Sequence, residues 1–447
     1  MKKAAYAAAG LILVILVACI AYNKGRSSVQ STTAGSEAEL QQNEASTQVQ
    51  DVTEAEPAQE AENTKEAESS TAENAETAGQ TGAENAAAQE EDKEAYDLEY
   101  WTEGSQVAQS IRDYVKEVCD ENSSAYVPRE DRIATFDMDG TFIGELYPTY
   151  FDTCMFAYRV LEDESYEADA EMKQFGQKVR DAMDEGSIGE VDMQELARHF
   201  AKAYSGMTMK EFADYVKAFK KHEPEGFDNL TYETSFYKPM ISVIRYLAAN
   251  DFKVYVVSGT ERMTVRALIE DELGDVVPPE QIIGSDFTMY ATAQEDTPGI
   301  DYTYGKDDNV LMGDELIVKN LKMNKVTAIV REIGKAPIAA FGNSTGDFAM
   351  AQLALNNEKY EGRAYMLLCD DTERDYGNPE KAASFKEKCE AQGFIPVSMK
   401  DEFATIYGED VKINPSKLPG YTETEEVPEN VIEMPQGETK EEEKKAS

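Results

Sequence analysis

The sequence predicts an α/β fold: a doubly wound parallel sheet with a helical segment inserted after its first strand. Short apolar, partly β-branched runs recur at Ile133-Ala134-Thr135-Phe136, Val254-Tyr255-Val256-Val257, 338–341 and 365–369. Stretches with apolar residues at helical spacing separate them, and such alternation belongs to parallel sheets covered by helices on both faces. Candidate chemical motifs follow these strands at their carboxyl ends, where open sheets of this kind bind ligands.

Each element has its own signal. Over residues 100–119, Trp101, Val107, Ile111, Tyr114, Val115 and Val118 recur at helical spacing, with Trp101 read as core. Ile133 to Phe136 is the first buried strand. Residues 150–225 carry several amphipathic helical patterns, 193–219 among them. A helix at 240–249 leads into the strand at 254–257, and 264–273 is again helical. Ile282-Ile283 and residues 309–318 read as short strands, the latter hinged at Gly313-Asp314. A helix at 325–334 precedes the two last buried strands, 338–341 and 365–369. The chain has no internal repeat.

The 447 residues include 43 Lys and Arg against 87 Asp and Glu, a net charge of -44. Nucleic-acid binding is excluded, because phosphate backbones are held by Lys and Arg. Docking on anionic headgroups by charge is excluded for the same reason. A small phosphorylated substrate is not, because a metal ion can offset its charge. Lys2 and Lys3 precede an apolar run over residues 4–22, broken by Gly10, which reads as a targeting segment. Leu16-Val17-Ala18-Cys19 resembles the lipobox of bacterial lipoproteins, with Cys19 as the lipidated residue. An uncleaved single-span anchor or a plain cleaved signal are the alternatives. Each puts the protein in an extracytoplasmic location, with membrane contact only through the N-terminal lipid or anchor.

Expected boundaries are 1–26 for the signal or anchor, 27–95 for an acidic linker, 96–417 for the folded unit and 418–447 for an acidic tail. Between Ser31 and Ala95 there is no Phe, Trp, Tyr, Ile or Met, so the linker has too little apolar area to offset its chain entropy. Beyond Cys19 stand Cys119, Cys154, Cys369 and Cys389, with no CxxC pair to form a zinc cage. Two disulfides or free core thiols are both open. His199 and His222 are the only histidines, one at a helical position and one in a charged connection.

Four motifs carry chemistry. In Phe136-Asp137-Met138-Asp139-Gly140-Thr141, residues two apart in extended chain project to one side, so Asp137 and Asp139 can serve one site. Two close carboxylates need a cation or a shared proton, and Mg2+ is the oxygen-loving choice. Ser258-Gly259-Thr260 closes a second strand with a hydroxyl and backbone N–H groups suited to an oxyanion or phosphate. Lys325, with Lys322 one turn away, opens a helix before the last motif. Phe341-Gly342-Asn343-Ser344-Thr345-Gly346-Asp347 offers metal-ligating oxygen from Asn343 and Asp347.

In this order and on these strands, the motifs resemble the haloacid dehalogenase-like hydrolase superfamily over about residues 97–407. The pattern is most similar to its phosphoserine-phosphatase-like branch, and in particular to exported bacterial members. Trp101, Gly104, Arg132 to Asp137, Glu145, Tyr147, Pro148, Asp370 to Tyr376 and Val397-Ser398-Met399 match those members. The resemblance implies a Rossmann-like core with a mobile helical cap at about 143–240. It implies Asp137 as nucleophile, Asp139 as general acid and base, and Lys325 as the partner of Asp137 and the phosphoryl group. Ser258, Gly259 and Thr260 would hold the phosphoryl oxygens. Magnesium would sit on Asp137, Asp139 and the acidic loop. Glu145 would face the substrate or cap the next helix, and Arg262 would contact the substrate's far end. Asn343 departs from the branch pattern, which has Asp there, so either Asn343 or Asp347 would be the direct ligand.

The expected function is a magnesium-dependent phosphomonoesterase acting through an aspartyl-phosphate on a small phosphorylated substrate, phosphoserine-like or broad. A phosphotransferase or mutase using the same intermediate, and a non-catalytic surface binding module, are the alternatives. The sequence leaves oligomeric state open.

Overall fold

The computed structural model describes residues 97–418 apart from Tyr147. The targeting segment with Cys19, the 27–95 linker and the tail beyond Leu418 lie outside the described residues. Leu418, placed in the tail by sequence, is buried. Among the described residues no helix is long and apolar enough to cross a membrane.

The strands are β1 (Ile133–Phe136), β2 (Phe227–Asp228), β3 (Lys253–Glu261), β4 (Ile282–Ala291), β5 (Val310–Val318), β6 (Ala339–Gly342), β7 (Arg363–Leu368), β8 (Ile395–Ser398) and β9 (Lys412–Ile413). Seven form one sheet in the order β5-β4-β3-β1-β6-β7-β8, and β2 pairs with β9 separately. The chain builds outward from β1 through β3 and β4, then crosses back to β6. The two directions part beside β1, and such a switch point opens a crevice at the strands' carboxyl ends. Every residue of β1 and of β6 is buried, as expected of strands covered on both faces. Phe136, Phe341 and Tyr365 are register partners on β1, β6 and β7. Their rings stack at 4.2 and 5.0 Å between centroids, which holds the ends of β1 and β6 side by side.

The parallel expectation fails at one edge. β4 and β5 are antiparallel, an extended hairpin with irregular register at Asp286 and Phe287. No hinge forms at Gly313-Asp314, where β5 is continuous. A Cβ on Gly313 would overlap Thr288 of β4, so this glycine permits close strand approach. The strand Ile395–Ser398 and the helix before it, Pro379–Ala391, carried no clear sequence signal.

Helices α1 (Gln106–Cys119), α2 (Phe151–Leu161), α3 (Ala170–Asp184), α4 (Met193–Tyr204), α5 (Met209–Phe219), α6 (Lys238–Ala249), α7 (Arg262–Leu273) and α8 (Met323–Glu332) follow in order. The apolar pattern over 193–219 splits into α4 and α5. The Thr208 hydroxyl and the Glu211 carboxylate cap each other's backbone N–H groups, so a new helix starts there. Trp101 precedes α1, packs edge-on against Phe403 at 5.1 Å and donates to the Pro239 carbonyl at 3.1 Å. Among the described residues Cys119, Cys154, Cys369 and Cys389 form no disulfide. His199 stacks on Phe175 at 3.8 Å and His222 bonds the Phe219 carbonyl at 2.8 Å, both within the helical insert.

Candidate active site

Asp137 follows β1 directly, and its N–H donates to the Phe341 carbonyl at 2.9 Å, carrying the β1–β6 pairing one residue further. The chain then turns at Gly140, with φ of 72°. A Cβ there would overlap the Asn343 amide and the Glu145 side chain, so only glycine serves.

Lys325, in the first turn of α8, is fully buried. Its Nζ donates to Asp137 Oδ1 at 2.5 Å and to Asp347 Oδ1 at 2.6 Å. Burial alone would discharge the ammonium, but the two carboxylates outweigh it and hold its pKa above the usual lysine value. The structure therefore brings Lys325 rather than Lys322 to Asp137; Lys322 lies one turn earlier, at the cavity wall. Burial and the like charge of Asp347 push the Asp137 carboxyl up against the pull of Lys325.

Asp139 is held through Oδ2, which accepts from the Thr260 hydroxyl at 2.7 Å. Its Oδ1 is buried with no hydrogen-bond partner. Burial, then the like charges of Asp152 and Asp137, raise its pKa to about 8. An acid protonated near neutral pH suits proton donation.

The β6 loop is organised by Asp347. Its Oδ2 accepts from the N–H groups of Asn343 and Ser344, each at 3.1 Å, and from the Ser344 hydroxyl at 3.2 Å. Asn343 Nδ2 donates to Glu145 Oε1 at 2.7 Å. Burial pushes Glu145 up to about 8, partly opposed by that hydrogen bond. Thus three buried carboxylates, Asp137, Glu145 and Asp347, and the half-buried Asp139 surround one buried ammonium.

Of these, Asp137, Asp139, Asp347 and Lys325 form the floor of a cavity of about 1050 Å³. Asp137, Asp139, Gly259, Thr260, Lys325, Asn343 and Asp347 line it. Its far wall comes from the helical insert, including Val191, Met193 and Arg198, and from Leu316, Ile317 and Lys319 at the end of β5. Sequence reasoning missed Asp152, Lys319 and the pairing of Thr260 with Asp139. Asp152 and Lys319 have no motif, because only folding brings α2 and the end of β5 beside Asp139.

Three expected substrate contacts are placed elsewhere. Ser258 is fully buried, and its Oγ accepts from the Thr260 N–H at 3.0 Å. It shapes the turn from below, and Gly259 and Thr260 face the cavity. Glu145 neither lines the cavity nor caps α2, whose N-cap is Tyr150. Arg262 points away: it binds Asp286 through Nε at 2.8 Å and Glu332 through Nη1 at 2.7 Å. The segment from Asp370 to Tyr376 is a structural loop. Asp371 pairs with Arg374, whose guanidinium also donates to the Phe403 and Met399 carbonyls at 2.7 and 3.1 Å.

Among the described residues, no three His, Cys, Asp or Glu side chains form a ready metal cage. The floor nonetheless carries hard oxygen donors on Asp137, Asp139, Asn343 and Asp347, all of which line the cavity. Its carboxylates outnumber its single ammonium, a charge imbalance that a divalent cation fits.

Fold and site together define a hydrolase domain with paired aspartates at the sheet's switch point. The model of the haloacid dehalogenase-like hydrolase family matches residues 134–352, so this stretch is a domain of that family. Among solved structures, the chain is similar to a functionally unknown protein from Anaerococcus prevotii, at 15% identity over 65% of this chain and 91% of that one, with TM-score 0.40. Cytosolic 5'-nucleotidase IIIB bound to cytidine is 13% identical over 66% of this chain and 86% of that one, with TM-score 0.39. A phosphoserine phosphohydrolase-like protein from Francisella tularensis is 11% identical over 57% and 92%, with TM-score 0.32. No curated protein sequence matches the chain.

Proposed function

We propose that this protein is a magnesium-dependent phosphomonoesterase acting through an aspartyl-phosphate. The observation that carries the reading is the pairing on the cavity floor: Asp137 held by Lys325, and beside it the elevated Asp139 held by Thr260. In the first step an Asp137 oxygen attacks phosphorus and the P–O bond to the leaving alcohol breaks. Protonated Asp139 gives its proton to that oxygen. In the second step Asp139, now a carboxylate, takes a proton from water. The water oxygen attacks phosphorus, the Asp137–phosphorus bond breaks, and inorganic phosphate leaves. Lys325 offsets charge on Asp137 and the phosphoryl group, and Gly259 and Thr260 line the same space. Asp137, the Asp139 carbonyl and Asn343 would hold Mg2+, with Asp347 organising the loop. When bound, the ion neutralises phosphoryl charge.

The cavity wall mixes apolar residues such as Val191, Met193 and Leu316 with charged ones of both signs such as Asp192, Arg198 and Lys319, and its volume leaves room for phosphoesters larger than phosphoserine. The helical insert over Phe151–Phe219 would act as the cap that chooses among them. An anchored, extracytoplasmic position rests on the sequence around Cys19. Labelling with a radioactive fatty acid tests it: the wild-type chain should be labelled and Cys19→Ser should not, and an unlabelled wild type or a labelled variant would overturn it.

The test uses the full-length chain and phosphate release from a small aryl phosphate. Turnover is expected with Mg2+ and lost on chelation or in Asp137→Asn. Turnover that survives either change, or a folded wild-type chain inert towards a phosphoester panel, would overturn the reading.

A further inference from the structure

We infer that Glu145 is a positioning residue that fixes the Asn343 amide with its oxygen towards the metal site, an inference resting on the metal-dependent reading above. An amide carries its donors on nitrogen alone, and the oxygen of a carboxylate or of a carboxylic acid's carbonyl accepts from them. The contact of Asn343 Nδ2 with Glu145 Oε1 at 2.7 Å therefore sets which end of the amide points which way. Asn343 lines the cavity beside Asp137 and Asp139, whereas Glu145 does not. With its nitrogen turned to Glu145, Asn343 presents Oδ1 to the site.

The surroundings are built for this pair. Gly140 leaves the space that the Asn343 amide and the Glu145 side chain occupy. The Gly140 N–H donates to the Ile143 carbonyl at 2.7 Å, and the Gly144 N–H donates to the Ser235 carbonyl at 2.9 Å. These bonds tie down the segment leading into Glu145. Leu146, the next residue, is buried at φ of 66°, a conformation that persists only where surrounding structure enforces it. Among the described residues no Lys or Arg forms an ion pair with Glu145. This accounts for the departure noted in the sequence. Aspartate at 343 would set a second carboxylate against Glu145, whereas asparagine supplies a donor to Glu145 and an acceptor to the ion from one side chain.

The test is calorimetric titration of the chelator-treated, full-length chain with Mg2+, with thermal melts to confirm folding. Glu145→Ala frees the amide to rotate and should weaken Mg2+ binding about 10- to 100-fold. Glu145→Gln can still accept through its carbonyl and should bind close to wild type. Asn343→Asp should bind better when combined with Glu145→Gln than alone, because the glutamine then donates to the new carboxylate. Wild-type affinity in Glu145→Ala would overturn the inference. So would a Glu145→Gln variant as weak as Glu145→Ala, which would assign the effect to charge. A wild-type chain with no saturable Mg2+ heat would instead overturn the metal-dependent reading on which this one rests.

Discussion

Replacing Lys325 with methionine keeps the length of the side chain and removes the only buried cation at the site. Its side chain is 1% exposed, between Asp137 at 11% and Asp347 at 2%. Removing one partner of a buried ion pair costs about 3–5 kcal/mol, because the remaining charge stays buried without compensation. Unfolding entropy of about 2.1 cal/mol/K per residue, over about 320 residues, is roughly 0.7 kcal/mol/K, so the loss converts to about 4–7 °C in Tm. The cost depends on pH in a defined direction. Without Lys325, Asp137, already pushed up by burial and the charge of Asp347, is relieved only by binding a proton, so the penalty should be largest at pH 8 and shrink at pH 5.5. Thermal melts by circular dichroism at both values, in chelator, measure it. A variant that melts within a degree of wild type at pH 8, or loses as much at pH 5.5, would refute the compensation argument. Asp137→Asn added to Lys325→Met should recover part of the loss, since it removes one of the stranded charges.

Thr260→Val removes the hydroxyl that holds Asp139. Hydrogen bonds to charged groups contribute about 1.5–3 kcal/mol, so kcat/KM should fall roughly 10- to 100-fold with the fold intact. Arg262→Ala should lower Tm through loss of its Asp286 and Glu332 pairs while leaving KM for every phosphoester unchanged. A substrate-selective rise in KM would put Arg262 back in the site. The metal-free protein should lose stability as pH rises. Asp139 and Glu145 stand near 8, Glu261 near 7 and Asp375 near 6, all elevated chiefly by burial. The folded state then holds more protons than the unfolded one above the ordinary carboxylate range, which disfavours folding increasingly up to about pH 8. Asp163 works the other way. Burial raises it, but hydrogen bonds from Ser165 and Arg159 prevail and hold it at about 2. Its contribution is present above the unfolded value and lost only in acid, outside this window. In chelator, Tm should fall between pH 5.5 and 8.5, and Mg2+ should restore more of it at 8.5. A flat or rising Tm in chelator would contradict the sign.

The strands and the order of the motifs were legible because local pattern determines them. The run Ile133-Ala134-Thr135-Phe136, apolar at three of four positions and β-branched at two, reads as a buried strand between helices. Asp137 and Asp139, two apart at its end, must share a side. The sequence by itself therefore determined the sheet's interior, the pair of aspartates and the lysine-bearing helix. Tertiary structure alone decided what depends on approach between distant segments. It chose Lys325 over Lys322, because the helix turn that enters the crevice is set by packing rather than spacing. It made the edge at β4 and β5 antiparallel, because a hairpin's direction follows from its connection and not from its apolar content. It drew Arg262 away to Asp286 and Glu332, placed Ser258 beneath the cavity floor, and set Glu145 against Asn343. Each of those outcomes rests on a hydrogen bond or ion pair between residues 24 to 198 positions apart or on the burial of a strand end. Such contacts acquire their energy only when the chain has brought the partners out of water together.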